Sequence, residues 1–483
     1  MPPAAIGAPS LARFSSRPLQ IFSALLVASA VIYCFRLGDD ALGASAAYSA
    51  WAATKPGVVA IIETPVMHDP GKQVLYYVLL HYFTEIFGLS EVALRSLSVI
   101  FGLVSVILVF ALGREMFDDD TALAATAIWA FNPLAVVFAR TARMYPMFIA
   151  IALAHLLMLL RVRRRPSLTG AIGCGLLGAA MPYTHMAGLL ILGSEGAMLL
   201  RDLTRGRRDT MAWVAMLLAL ALFFPYAPIA ARQSNDLMYG HSLDYLGPSY
   251  NYSLVQKILA AILAAGATLW LLFGHAREQH PDEPIRWLLA WIALPTMAFL
   301  VGSALLHPMF NPRYLAPEIA AGTVLTAAAI GAWSAKWRNL IAAGFALICL
   351  IMLPFARSEP QPWRDLARQV STSGDSSQPV FFEAGFVSKS HVPNAGFPFG
   401  YYSIVFDYYF HGPNPRVIVP GYDPSSARST IEQKVAAAGG GWLVSWKDAE
   451  TVKAELPDSR RFTIVEKYRE QDIGIYRLTP TPH

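Results

Sequence analysis

The sequence predicts a polytopic α-helical membrane protein, with about eleven transmembrane helices, interfacial helices in the first outer loop and a small C-terminal α/β domain. Three observations carry this reading. Only 15% of the 483 residues are charged and 55% are hydrophobic, whereas a soluble domain carries about 25% charge. Eleven apolar runs approach the ~20 residues that a bilayer crossing needs, and the mean hydropathy is +0.42. From residue 357 onward the pattern changes to Gly-, Pro- and Ser-rich loops between short β-type segments. The expected division is a membrane part over 1–356 and a soluble domain over 357–483.

The first apolar run covers 19–35. It has no convincing small-x-small cleavage site and is followed by Arg36 and acidic residues, so an uncleaved span is expected rather than a secretory leader. The next runs fall at 93–113, 121–139, 146–160, 168–182, 185–200, 211–231, 255–274, 287–306, 314–333 and 338–355. The runs on either side of Pro182 could form one broken helix, but the loop charges argue for two. Every second loop is basic. These loops hold Arg114; Arg161, Arg163, Arg164 and Arg165; Arg201, Arg205, Arg207 and Arg208; Arg277 and Arg286; Lys336 and Arg338. The N-terminal tail adds Arg13 and Arg17. The positive-inside rule makes these faces and the N-terminus cytoplasmic, with the first loop (36–92) and the C-terminal domain outside. The same distribution explains the net charge of +5 without a nucleic-acid surface. Cys34, Cys174 and Cys349 each fall in an apolar run and are odd in number. That argues against a disulfide framework or a zinc site.

The first outer loop is too apolar for a plain linker. A short helix is expected over 45–53, and 74–87 reads as a helix lying in the membrane interface, with His81 and Glu85 on a wet face. In the tail, β-type runs fall at 380–383, 403–410, 416–420, 442–446, 461–467 and 473–478, and a helical stretch at 425–438 precedes Gly439-Gly440-Gly441.

Five clusters offer chemistry, all at the outer ends of spans. Asp39 and Asp40 follow the first span. A carboxylate at the water–lipid boundary can take a proton from an incoming hydroxyl. Alone, the pair reads equally as the cap of a helix beginning near Ala41. His68-Asp69-Pro70-Gly71-Lys72 offers a cation for a phosphate at headgroup depth, or a solvated turn. Arg140-Thr141-Ala142-Arg143-Met144-Tyr145 puts two guanidiniums on the outer face, against the topological rule. Guanidinium binds phosphate bidentately, and snorkelling to headgroups is the plainer role. Pro182-Tyr183-Thr184-His185 and the segment with Arg313-Tyr314 complete the set. No Gly-rich phosphate loop and no convincing metal spacing appear in the sequence.

In this order the clusters resemble the GT-C superfamily of polyprenyl-phosphate-sugar glycosyltransferases, in the branch of the protein O-mannosyltransferases and lipid A aminoarabinose transferases. The resemblance runs from about Arg36 to Leu200. It rests on Gly38-Asp39-Asp40-Ala41, the run Leu75 to His81, the run Phe87 to Arg95, Ala142-Arg143-Met144-Tyr145 and Tyr183-Thr184-His185, with Arg313-Tyr314 as a weaker match. Two departures stand out. Thr141 occupies a position where many relatives carry Glu, and the usual His-Pro-Pro turn is His68-Asp69-Pro70 here. The first leaves a second carboxylate, and any metal held through it, in question.

The resemblance implies sugar transfer from a polyprenyl-phosphate donor to a lipid, glycan or protein acceptor, by single displacement with inversion. Asp39 is then the base, with Asp40 beside it. Lys72, Arg143, Tyr145, Arg313 and Tyr314 hold the lipid phosphate. His68, Asp69, Tyr76 and His185 contact acceptor or sugar. No cofactor is required, and a divalent metal stays open. The resemblance and the loop charges together suit a bacterial inner membrane with the active face in the periplasm. A polyprenyl-linked oligosaccharide ligase and a lipid-carrier flippase are the rival readings. A flippase would place its ionisable groups near mid-membrane rather than at the span ends.

Overall fold

In a computed structural model, the described residues are 16–66, 71–239, 282–305 and 312–331, isolated positions between 340 and 351, and 362–372, 376–383, 401–419, 424–445, 448–455, 462–470 and 473–480. The expected span at 255–274 and most of that at 338–355 lie outside them. So do His68 and Asp69.

The chain opens with helix α1 (Ser16–Cys34), then α2 (Ala44–Ala53), a single turn α3 (Val58–Ile61) and the short apolar helix α4 (Val74–Phe87). The bundle continues as α5 (Glu91–Met116), α6 (Asp119–Ala130), α7 (Pro133–Ala139), α8 (Tyr145–Arg164), α9 (Leu168–Thr184), α10 (Ala187–Thr204) and α11 (Thr210–Phe223). A 3-10 turn joins α11 to α12 (Ala227–Tyr239). Helix α13 (Asp282–Leu305) and α14 (Ala316–Gly331) complete the described part of the bundle. Among the described residues, five helical stretches are long and apolar enough to cross a membrane: Arg17–Cys34, Glu91–Met116, Tyr145–Arg164, Thr210–Gln233 and Ile285–Gly302. The run expected as one span at 121–139 is instead the bent pair α6 and α7, which meet at 62°. The cause is local. Pro133 has no N–H to continue the helix, and the Asn132 side chain accepts the Leu134 N–H (2.9 Å) to start a new one.

The bundle turns apolar side chains outward as well as inward. Val27, Val31, Ile86, Leu176, Leu217 and Phe224 are all exposed, as helices solvated by lipid require. Helix α9 lies between α8 and α11, and α14 packs on α6, α8 and α13. Helices α5 and α6 touch at Gly113, where an added Cβ would stand 2.7 Å from the Ala122 backbone. No larger residue fits there without separating the two helices.

The C-terminal region begins with α15 (Trp363–Ser371) and β1 (Val380–Glu383), followed by α16 (Tyr401–Tyr409), β2 (Arg416–Val419), α17 (Pro424–Ala438), β3 (Gly441–Ser445), α18 (Ala449–Glu455), β4 (Phe462–Glu470) and β5 (Ile473–Pro480). The sheet order is β2-β1-β3-β5-β4. The first three strands run parallel, and β5 and β4 are antiparallel to their neighbours. One face shares a continuous core with the bundle through Trp363, Phe382, Phe406 and Ile475. Phe381, Leu443 and Tyr476 point into a separate core with Ile431 and Val435 of α17 and Val452 of α18.

Two local expectations are corrected. The segment 403–410, with its strand-like aromatic and β-branched content, is helical as part of α16. Ser403, Phe406 and Phe410 recur at helical spacing and are all buried, and Phe406 packs edge-on against Phe382 of β1. Tertiary packing overrides the local β propensity. The wet face expected on α4 is only half wet. Glu85 is exposed, but His81 is buried and its Nδ1 lies 2.8 Å from the Ala53 carbonyl, which ties α4 to the end of α2.

Candidate active site

The acidic pair does not cap a helix. After α1 the chain turns through 35–39, and α2 begins only at Ala44, with Gly43 as N-cap and no side-chain cap. Arg36 has φ of +51°, a left-handed conformation that disfavours a side chain. Such a residue persists only when its surroundings hold it. Three guanidiniums do so. Arg95 of α5 donates to the Leu37 and Ala41 carbonyls (2.6 and 3.1 Å). Arg140, at the end of α7, donates to the Phe35 and Ile32 carbonyls (2.5 and 3.2 Å). Arg364 of α15 donates to the Asp39 and Gly38 carbonyls (3.1 and 3.4 Å) and to the Glu91 carboxylate (2.5 Å). The Tyr409 hydroxyl of α16 donates to the same carboxylate (2.7 Å) and accepts the Leu42 N–H (2.5 Å). Tyr408 donates to the Leu89 carbonyl (2.5 Å).

The backbone of the loop is thus fixed from both ends of the sequence, while the Asp39 side chain stays exposed and pairs with Arg36. Asp40 is half-buried and acts electrostatically on Arg95. The hydrogen bond to Glu91 raises the Arg364 pKa, and burial pushes Tyr408 up to about 12. Both side chains therefore keep their donors at neutral pH. Replacing Arg364 by Ala is expected to lower several-fold the turnover of the transfer reaction that the resemblance implies, while leaving donor affinity near wild type. Arg364→Lys should recover part of the loss, because one cation restores charge but not the fork. Steady-state kinetics on the purified protein checks this, and a change confined to affinity would contradict a role for Arg364 in positioning the loop.

A second locus forms where α4, α8, α9 and α14 begin or end. Gly71 has φ of +81°, which glycine alone adopts at no steric cost. This turn lets Lys72 pair with His185 as an isolated antiparallel bridge, closed by Gln73 N–H to the Thr184 carbonyl (3.1 Å) and Met186 N–H to the Gly71 carbonyl (2.9 Å). Gln233 of α12, 2% exposed, fastens the clip. Its amide donates to the Val66 and Lys72 carbonyls (2.5 and 3.1 Å), and its oxygen accepts from Gly71 N–H (3.2 Å) and the Gln73 amide (2.5 Å). Tyr226 donates to Gln73 (2.9 Å).

Around this clip stand the residues singled out by the sequence. The His185 ring lies 4.7 Å from Tyr314, 5.3 Å from Phe148 and 6.3 Å from Tyr145. The Lys72 ammonium sits 5.7 Å from the Tyr314 ring. Tyr145 lies within electrostatic reach of Lys72, Arg143, Arg313 and Tyr314. Lys72, Arg313 and Tyr314 are half-exposed, so the locus is open. Arg143 is 3% exposed and donates to the Ser45 carbonyl (3.1 Å) and the Tyr77 hydroxyl (3.3 Å), so it acts from behind the surface. Tyr76 is fully buried, with its hydroxyl 3.3 Å from Ser98 Oγ, which in turn donates to the Arg143 carbonyl (3.0 Å). It braces Arg143. Among the described residues, no three His, Cys, Asp or Glu side chains are gathered for a metal ion, so no step is derived through one.

The two loci are neighbours in the fold. Arg95 and Ser98 are one turn apart on α5; the first clamps the acidic loop and the second the Arg143 turn. Arg143 also holds Ser45, five residues beyond Asp40. Sequence reasoning missed Gln73, Gln233, Glu91, Arg364 and Tyr409. A glutamine at the end of an apolar helix was the one visible signal.

Residues 71–229 match the dolichyl-phosphate-mannose-protein mannosyltransferase family. No curated protein matches the chain by sequence. Among solved structures the chain resembles ArnT from Cupriavidus metallidurans in the apo state, with 12% identity over 96% of this chain and 98% of that one and a TM-score of 0.60. The same protein bound to undecaprenyl phosphate gives 13% identity, the same coverages and a TM-score of 0.58. The oligosaccharyltransferase of Archaeoglobus fulgidus, in complex with Zn and sulfate, gives 12% identity over 94% of this chain and 72% of that one, with a TM-score of 0.55. The chain shares the fold of these two proteins. The family match covers α4 to α11, which includes Lys72, Arg143, Tyr145 and His185, while the fold match extends to the C-terminal sheet.

Proposed function

We propose that this GT-C enzyme transfers a sugar from a polyprenyl-phosphate donor to a hydroxyl of a lipid, glycan or protein acceptor, with inversion, on the periplasmic face of a bacterial inner membrane. The observation that carries the reading is the gathering of Lys72, Arg143 and Arg313 around Tyr145, Tyr314 and His185, beside a clamped loop that presents Asp39. Asp39 takes the acceptor proton as the acceptor oxygen attacks the anomeric carbon, and the donor C–O bond to phosphate breaks on the opposite side. Lys72 and Arg313 meet the charge that grows on the departing phosphate, and Arg143 adds to the field from behind. Such preorganised charge is the dominant catalytic term in reactions of this kind. Tyr145, Tyr314 and His185 shape the space between. Undecaprenyl phosphate occupies a structural relative, which supports a lipid phosphate as the donor's handle.

Binding of undecaprenyl phosphate to the purified protein tests this. The wild-type chain should bind it, and Lys72→Ala should weaken binding about tenfold, the worth of one charge-assisted contact of ~1.5 kcal/mol. Unchanged affinity in that variant would remove Lys72 from the site.

A further inference from the structure

The other end of the bundle carries a built basic cleft. Helix α8 runs from Tyr145 at the proposed active site to Arg164, 20 residues or about 30 Å away. Helix α10 likewise runs from the His185 turn to Thr204, and α13 starts at this far end. There a cleft of about 180 Å³ is lined by Arg201, Asp202, Arg205, Arg207, Arg286 and Trp287. Its floor is rigid. Arg163, with a side chain only 2% exposed, lies 4.0 Å from the Trp287 ring and pairs with Asp202 (2.5 Å) and Asp209 (2.8 Å). Asp202, the one carboxylate of the lining, is engaged by Arg163 and stands 4.0 Å from Arg201, and Arg207 pairs with Asp209 (3.1 Å), so the four guanidiniums of the opening and Arg163 outnumber the two carboxylates among them. Burial, and then the nearby charges of Arg205 and Arg286, lower the Arg201 pKa against the opposing pull of Asp202. Like charges gathered in this way are relieved by an anion.

We propose that this cleft binds a phosphate group. Guanidinium forks match phosphate oxygens in pairs, and the cleft's place at the ends of α8, α10 and α13 sets it at headgroup depth. Basic pockets between membrane helices at that depth hold anionic lipid headgroups. A soluble phosphate has the same recognition chemistry, so both sources are tested. The site is independent of the proposed transfer reaction, which is at the opposite surface.

The full chain is placed in nanodiscs of phosphatidylcholine with and without phosphatidylglycerol, and lipid retained on release is counted by native mass spectrometry. Wild-type protein should retain phosphatidylglycerol. The R205Q/R286Q variant should retain about thirtyfold less, at roughly 1 kcal/mol for each basic group near the surface. R161Q/R164Q, which removes two charges at the same end but outside the cleft, where both pair with Glu115, should retain it normally. R205Q alone, at an exposed position, shows the effect with the least risk to folding. The second arm adds inorganic pyrophosphate to protein in phosphatidylcholine alone. A rise in melting temperature that R205Q/R286Q abolishes would support the site with a soluble ligand. The proposal fails if neither anion is bound by the wild type, if R205Q/R286Q binds as well as wild type, or if R161Q/R164Q loses binding equally.

Discussion

Asp39→Asn is expected to lower the rate of sugar transfer by about 10²–10⁴-fold, the range that a positioned general base supplies, while leaving undecaprenyl phosphate binding within about twofold. The substitution keeps the shape of the side chain and its hydrogen bond with Arg36 but removes the basic lone pair. The Asp39 backbone is held by Arg364 and the turn before it by Arg95 and Arg140, so the loop should keep its form. The neighbouring pair then separates chemistry from electrostatics. Asp40 is half-buried and engaged with Arg95, so Asp40→Asn should lower transfer much less than Asp39→Asn. Single-turnover transfer from a labelled donor, with lipid binding measured in parallel, distinguishes the two. Wild-type rates in Asp39→Asn would reject the base assignment outright.

Glu195→Ala is expected to destabilise the bundle by about 3–5 kcal/mol, as when one partner of a buried pair is removed. Glu195 of α10 is 1% exposed and faces His155 of α8 (Oε2 to Nε2, 2.8 Å) and Trp291 of α13, whose Nε1–H donates to Oε1 (2.9 Å). His155 Nδ1 lies 2.9 Å from the Cys174 carbonyl. A carbonyl only accepts, so Nδ1 carries a proton. Four helices meet at this network, about halfway along α8. Alanine leaves the His155 Nε2 and the indole N–H without their partner at fully buried positions. Glu195→Gln can still donate to Nε2 and accept from Trp291, so it should cost about 1 kcal/mol. Unfolding in detergent, followed by melting temperature for both variants, gives the ordering. Equal stability of Glu195→Ala and wild type would show that the network does not hold the bundle.

Local physics was readable in the residues. Helix α4 spans the range its apolar periodicity marks, and β1 does the same in the tail. The chemistry-bearing clusters were visible because each is a short run of charge against an apolar background. What could not be read was held by distance in the chain. Arg364 reaches a carbonyl 325 positions earlier, and Tyr409 the N–H of a residue 367 positions earlier. No period or spacing announces such a contact. The break at Pro133 and the helix over Tyr401–Tyr409 were missed for a related reason. In the first, an Asn-Pro pair inside an apolar run was outweighed by hydropathy; in the second, strand-like residue types were folded by their neighbours into a helix.

The fastening of the acidic loop by α15 and α16 has a practical consequence for protein engineering. A chimera that exchanges the C-terminal region with that of another transferase replaces Arg364, Tyr408 and Tyr409 but keeps Glu91 and the carbonyls they address. Such a swap, made to alter acceptor choice, would also loosen the loop that carries Asp39, the base of the proposed reaction. Donor domains should be selected for a guanidinium and a paired phenol at these places before any feature of their acceptor surface is considered.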